Sequence, residues 1–213
     1  MSDGSWHLTI RKYNASGPPE EIGRRVREGL LPLLSREPGF RAYYAARMDG
    51  GSGVFSVSVF ADHNAMLVAN ERAMAWAGPN LGALLTRVPE VTTVEVKVHV
   101  DAPRQGHDSY LLVRMTDGLG PFSAVLPTVQ ERIVPLTLEQ PGFRHLYSGR
   151  DEAQDDLSIS VSVFSNRSTA TAAHAQVAAL MAQHRDLWPR PTRIMLAGEV
   201  LVAAVAEEVG HLA

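Results

Sequence analysis

Short apolar–polar alternations and longer amphipathic stretches follow one another in a fixed order along the chain. Residues 7–13 alternate as a strand does, with Leu8 and Ile10 on one face. From about Pro18 the apolar positions take the spacing of a helix. Pro32 is expected to distort or end this helix, because proline cannot donate the backbone hydrogen bond.

Two further strands are predicted at residues 40–47 and 54–60, and the sequence Gly50-Gly51-Ser52-Gly53 between them indicates a hairpin turn. Asp62 is a suitable N-cap for a second helix. A closing strand is predicted at residues 91–100. The resulting order, β-α-β-β-α-β, is that of a ferredoxin-like unit.

The second half of the chain repeats this order with matching residues. EPGFRAYYAAR at 37–47 corresponds to QPGFRHLYSGR at 140–150, a shift of 103 residues, and FSVSVF at 55–60 corresponds to ISVSVF at 159–164, a shift of 104. A fixed period of this kind indicates an internal duplication. The predicted division is one ferredoxin-like repeat at 1–100, a polar linker at 101–108 and a second repeat at 109–213.

The predicted fold class is therefore α+β: two tandem ferredoxin-like repeats that pair their antiparallel sheets into one intrachain barrel. The short linker favours pairing within the chain, because a tether raises the effective concentration of one unit near the other. Assembly into a homodimer stays open.

Composition narrows the classes of function. The net charge is −3 and Lys and Arg do not cluster, which argues against a nucleic-acid partner. The chain has no cysteine, so disulfides and thiolate nucleophiles are excluded. No apolar run approaches the roughly 20 residues of a membrane helix. The N-terminus lacks the pattern of a secretion signal, so a cytoplasmic protein is expected.

Several segments resemble the antibiotic biosynthesis monooxygenase-type domains of the dimeric α+β barrel superfamily. These are the Pro38-Gly39-Phe40 turn before the second strand and the stretches at 69–77 and 88–91. Some members of this group are similar to cofactor-independent oxygenases of aromatic polyketide intermediates, and others degrade haem. The resemblance implies a barrel with a small aromatic ligand and no cofactor.

Serines line one face of each predicted hairpin. Ser56 and Ser58 alternate with aliphatic residues in the first half, as do Ser160 and Ser162 in the second. We expect the aliphatic face to pack on the helices and the serine face to turn toward the space between the two sheets. Small hydroxyl side chains there leave room for a ligand. The alternative is an interface that holds only ordered water.

Arg11 and Arg114 occupy equivalent mid-strand positions. A buried guanidinium needs a partner, and an anionic or phenolate ligand is one such partner. The preferred interpretation is an ion pair with Glu95 or Glu199, or exposure at an edge.

Asn70 and His174 share one aligned position on the second helix of each half. The resemblance implies a histidine near this place, which His174 matches, and a neutral imidazole beside a phenol can act as a general base. The preferred alternative is a histidine on the helix surface.

Three aromatic side chains are further candidates for ligand binding. Tyr44 and Tyr147 alternate with Arg41 and Arg144 and could stack on an aromatic ring, although core packing is the preferred interpretation. Trp76 aligns with Leu180, which also favours a packing position.

Cofactor signatures are weak in this sequence. No His-Glu-x-x-His motif is present, and Gly50-Gly51-Ser52-Gly53 precedes a strand rather than a helix, so neither a metal site nor a phosphate loop is predicted. Haem would depend on His174 alone. The working hypothesis is a cofactor-independent monooxygenase in which His174 is the base and Arg114 or Arg11 stabilises the anion. The alternative is a non-catalytic small-molecule-binding or stress-associated module.

Overall fold

Eight antiparallel strands close into a barrel in a computed structural model of the protein, which describes residues 5–86, 88–102 and 109–206. The strands are β1 (Trp6–Tyr13), β2 (Phe40–Met48), β3 (Val54–Phe60), β4 (Glu90–Asp101), β5 (Tyr110–Thr116), β6 (Phe143–Asp151), β7 (Ser158–Phe164) and β8 (Arg193–Val205). The helices are α1 (Pro19–Arg25), α2 (Leu31–Leu34), α3 (His63–Leu81), α4 (Phe122–Thr128), α5 (Val134–Leu138) and α6 (Arg167–Gln183).

The order of strands around the barrel is β1-β3-β2-β8-β5-β7-β6-β4. Each half contributes a four-stranded sheet, and the pairs β2–β8 and β4–β6 join the two sheets edge to edge. The long strands β4 and β8 do this by pairing with their own half at one end and with the other half at the other. The predicted fold class and its intrachain closure are thereby confirmed. The duplication and its boundaries stay predictions, and most of the proposed linker, 103–108, lies outside the described residues.

The first helix of each half continues past its proline. A single π-helical turn, Val26–Leu30 in the first half and Val129–Ile133 in the second, precedes the short helix that contains Pro32 or Pro135. In this wider turn the Leu31 N–H bonds to the Val26 carbonyl, five residues back. Pro32 is thus associated with a distortion of the helix, as expected, but the helix does not end there.

The predicted N-cap of the second helix is confirmed, and the second half has an equivalent cap. The Asp62 side chain accepts a hydrogen bond from the Ala65 N–H at 2.8 Å, and Asn166 does the same for Thr169 at 3.1 Å. These are the N-caps of α3 and α6. The β2–β3 hairpin turns through Gly50, whose φ of +71° lies in the left-handed region that favours glycine.

The interior of the barrel is mainly apolar, and the predicted orientation of the hairpin faces is wrong. Phe55, Val57 and Val59 point into the barrel interior, where they pack with residues of both halves. The alternate positions of the same strands lie under the helices. Both faces of the hairpin strand β3 are buried, so alternation alone could not tell them apart. The aliphatic face lies inward, and the helices supply polar side chains to the serine face.

Two glycines allow the halves to meet. At the β4–β6 junction a Cβ on Gly149 would lie 1.9 Å from the Glu95 carbonyl oxygen. At the β2–β8 junction a Cβ on Gly198 would lie 1.7 Å from the carbonyl oxygen of Arg47. Register shifts occur nearby in both junctions. Only a residue without a side chain allows the backbones this approach.

We predict that Gly149→Ala and Gly198→Ala each lower the free energy of unfolding by about 3 kcal/mol, because the backbone must move away from the partner strand. Gly51→Ala is the matched control, since its Cβ would have no neighbour closer than 3.9 Å. The free energy of unfolding of the three variants is measured by urea denaturation. Unchanged stability in both junction variants would contradict the role of these glycines.

Candidate functional site

A cleft lies between the sheet of the second half and its helices. Its polar lining comes from strands β5, β6 and β7 and the segment before β8: Arg114, Thr116, Ser148, Ser158, Ser160 and Thr192. Its apolar lining comes mainly from the helices: Val125, Val129, Ile133, Leu146, Val177, Met181 and Trp188. About 40 Å³ is open to the centres of water-sized molecules, so the cleft has room for only a few waters as it stands.

Arg114 is the charged group of this cleft. Its side chain is 4% exposed. Nε donates to the Ser160 hydroxyl at 3.1 Å and Nη2 donates to Ser162 at 2.9 Å. Both serines belong to β7, which pairs directly with β5. Burial lowers the pKa of Arg114 to about 10, so the guanidinium is still charged at neutral pH.

The predicted ion pairs of the two buried arginines are wrong. Glu95 pairs with Lys97 and Arg150. Glu199 pairs with Arg47. Among the described residues, no carboxylate lies within salt-bridge distance of Arg11 or Arg114. A buried cation held only by hydroxyl groups is costly, because neither serine offsets its charge.

His174 lies on α6 close to Arg114, although it is not part of the cleft lining. Its pKa is lowered, first by burial and then by the charge of Arg114. Nδ1 is buried and makes no hydrogen bond in the described structure. The ring is half-buried rather than exposed, so the interpretation as a surface histidine is wrong. A neutral imidazole with an unused nitrogen therefore lies beside an uncompensated cation.

In the first half, the equivalent arginine and the residue on the helix above it are hydrogen-bonded to each other. Asn70 takes the place of His174 and accepts a hydrogen bond from Arg11 Nη2 through Oδ1. Asn70 Nδ2 donates to Thr9 at 2.9 Å, and Arg11 Nη1 donates to Ser58 at 3.3 Å. In the second half the position of Thr9 is occupied by Leu112, so the helix residue there has no such partner. Ser56 lines the more apolar cleft of this half.

Of the predicted ligand-binding residues, only Ser56 and Ser160 line a cleft, and the three aromatic candidates lie elsewhere. Tyr44 and Tyr147 point into the barrel interior, as the core-packing interpretation expected, and the Tyr147 ring stacks on His145 with centroids 6.4 Å apart. Trp76 packs beside Gly29 of the first helix. The reversed face assignment explains the tyrosines, because alternation puts Ser148 in the cleft and Tyr147 opposite it.

Trp188 is one of the cleft residues that the sequence pattern missed. It lies in the segment between α6 and β8, where no periodicity marks it. Ser158 was also missed, although it continues the alternation of Ser160 and Ser162 toward the start of β7. The π turn contributes Val129 and Ile133 to the lining, and π turns are often found at functional sites.

No group of three or more His, Cys, Asp or Glu side chains in the described part of the chain is placed to hold a metal ion. Within the same residues, no helix combines the length and the apolar character needed to cross a membrane.

Comparison with known proteins supports the fold. No family model and no curated protein matches the sequence. Several solved structures match the whole barrel at low identity. A candidate monooxygenase from Fusobacterium nucleatum superposes with a TM-score of 0.75 at 13% identity, with 96% of each chain covered.

Two other solved structures that match are of proteins with different described activities. An anthrone oxidase-like protein matches with a TM-score of 0.53 at 13% identity, covering 97% of this chain and 95% of its own. A chlorite dismutase from Candidatus Nitrospira defluvii matches with a TM-score of 0.61 at 12% identity, covering 93% and 92%. The chain therefore has the dimeric α+β barrel fold, closed within one chain. At such identity the fold alone is shared, and one fold supports several chemistries.

The lowered pKa of His174 predicts a dependence of stability on pH. An unfolded histidine titrates near pH 6.5. The unfolded state therefore binds more protons than the folded state below that pH, and stability falls as the pH falls. In urea unfolding between pH 7.5 and 5, the native protein should lose stability relative to His174→Asn.

Ala172→Asn is the matched control for this comparison, since Ala172 is an exposed residue of the same helix and has no titratable group. Its profile should run parallel to that of the native protein through the same range. A His174→Asn profile parallel to the native one would show that the imidazole is not desolvated.

Proposed function

We propose that the protein is a cofactor-independent oxygenase that takes a small phenolic or enolic aromatic substrate as its anion in the cleft of the second half. The observation that carries this proposal is Arg114, a buried guanidinium that lines a cleft and has no described carboxylate partner. Buried charges are normally paired, and a bound phenolate or enolate would supply the missing negative charge.

His174 supplies the base in this proposal. Because burial and Arg114 lower its pKa, the ring is neutral at pH 7 and can accept a proton. The free nitrogen is Nδ1. Removing a proton from an anthrone-type CH₂ group leaves a carbanion whose charge spreads to the oxygen, where Arg114 stabilises it. The same guanidinium resists protonation of His174 before the substrate is bound.

The carbanion then reacts with O₂, and the substrate supplies all the electrons. Electron transfer to O₂ and formation of the C–O bond give a peroxide at the former CH₂ carbon, protonated by the imidazolium. Loss of water from this peroxide leaves the carbonyl of the quinone. One oxygen atom is incorporated and the other leaves as water, so no external reductant is required.

The sequence also left open a module that binds a ligand without turning it over. The position of His174 outside the cleft lining favours this second candidate. Either candidate requires movement of the helices or of Trp188, because 40 Å³ does not accommodate an aromatic ring system. Both candidates share the anion site at Arg114. They differ in whether His174 takes a proton.

We further propose that each chain has one competent site, in the second half. In the first half Asn70 already satisfies Arg11, and an amide has no basic nitrogen. The two proposed repeats have diverged in the residue that faces the arginine, while the arginine and its serine partner are kept.

Turnover of anthrone to its quinone, followed by O₂ uptake in metal-free buffer, tests the oxygenase. His174→Asn introduces the side chain of the first half and should lower the rate by about 10² or more, the usual share of a general base. Binding of anthrone, measured without O₂, should persist in this variant.

Ala172→Asn is again the control, and it should keep the native rate. Binding without turnover in the native protein would select the module that only binds. A native rate in His174→Asn would remove the imidazole from the mechanism.

A further inference from the structure

Trp188 separates two cavities. It lines the inner cleft, and together with Met181 and Thr192 it also lines an outer cavity at the end of α6. The outer cavity offers about 90 Å³ to the centres of water-sized molecules, against about 40 Å³ in the cleft. The two spaces share these three residues as their common wall.

The main part of this wall is the Trp188 side chain, which is buried and lies on the short connection between α6 and β8. Trp188 is 4% exposed and follows α6 by a few residues. Its backbone N–H bonds to the carbonyl of His184 at 2.9 Å, which makes a single turn. Rotation of one indole about its own side-chain bonds would open the wall and leave the barrel unchanged, because Trp188 belongs to no strand or helix.

The mouth of the outer cavity is cationic. Arg185 and Arg190 both line it. Arg190 pairs with Asp117 at 3.3 Å, so its charge is offset. Arg185 makes no ion pair among the described residues. The two cavities together therefore extend from the buried Arg114 past Trp188 to the exposed Arg185, and neither arginine makes an ion pair among the described residues.

We propose that the two cavities form one substrate site with Trp188 as its movable wall, and that the substrate is a planar phenolic aromatic acid. The phenolic end lies at Arg114 and the carboxylate lies at Arg185. This inference rests on the proposed function, because it uses the same inner cleft. It adds the second charge of the ligand and the route by which the ligand enters.

The closed wall lowers the measured affinity. When the conformation that can bind is a minor one, the apparent affinity is reduced by its population. Trp188→Ala removes the wall and should tighten the binding of anthrone by about tenfold or more. Trp188→Phe makes the wall smaller and should give an affinity for anthrone between those of the native protein and Trp188→Ala. This variant tests the proposal if Trp188→Ala does not fold.

The second charge is tested with a pair of compounds, anthrone and an anthrone carboxylic acid, titrated without O₂. The acid should bind the native protein about tenfold more tightly than anthrone, through a charge-assisted contact with Arg185. In Arg185→Gln the ratio of the two affinities should fall to near one. Arg193→Gln, an exposed arginine that pairs with Asp117 outside the cavity, should keep the native ratio.

Equal affinities for the two compounds in the native protein, or an unchanged ratio in Arg185→Gln, would overturn the outer site. Weaker anthrone binding in both Trp188 variants would show that the indole is a fixed contact and not a wall. In either case, loss of binding in Arg114→Met would leave the proposed function standing. Failure of both compounds to bind, or binding that survives Arg114→Met, would overturn both proposals.

Discussion

Closure of the sheet into a barrel is the constraint on which the rest of this structure depends. Pairing β2 with β8 and β4 with β6 satisfies the edges that each half would otherwise expose. It also creates an interior that receives no polar side chain from the helices. The aliphatic faces of the strands fill that interior, and the faces that carry Arg11 and Arg114 are left under the helices.

The helix above each arginine then determines what that arginine does. In the first half, Asn70 bridges Arg11 and Thr9, and the polar groups are mutually satisfied. In the second half, burial lowers the pKa of His174, so the imidazole is neutral. The position equivalent to Thr9 is Leu112, which offers no hydrogen bond. The cost of keeping Arg114 charged is therefore uncompensated in the second half, and such a cost is typical of a site that binds a ligand.

Those parts of the fold that rest on local chemistry could be predicted from the sequence. Asp62 caps α3 because its side chain bonds to nearby backbone, and Gly50 turns the hairpin because of its own φ. The arginines, the serines and the Asn70–His174 pair were found because the two halves could be aligned.

What the sequence could not give depends on packing between distant segments. Which face of a strand turns inward is undetermined when both faces are buried, so the serines were assigned to the wrong side. The ion-pair partners were misjudged because β4 and β8 direct Glu95 and Glu199 away from the arginines. Trp188 reaches the cleft from an aperiodic segment, and its position follows only from the placement of α6 and β8.

The central claim is that Arg114 is kept for a ligand and not for stability. The most direct measurement is the free energy of unfolding of Arg114→Met beside Arg11→Met, without ligand. We expect Arg114→Met to be more stable than the native protein by about 1 to 3 kcal/mol, because the removal of an uncompensated buried charge outweighs the lost hydrogen bonds to Ser160 and Ser162. Arg11→Met should be less stable by a similar amount, since it leaves Asn70 and Ser58 without their donor. A loss of stability in Arg114→Met equal to that in Arg11→Met would contradict the account.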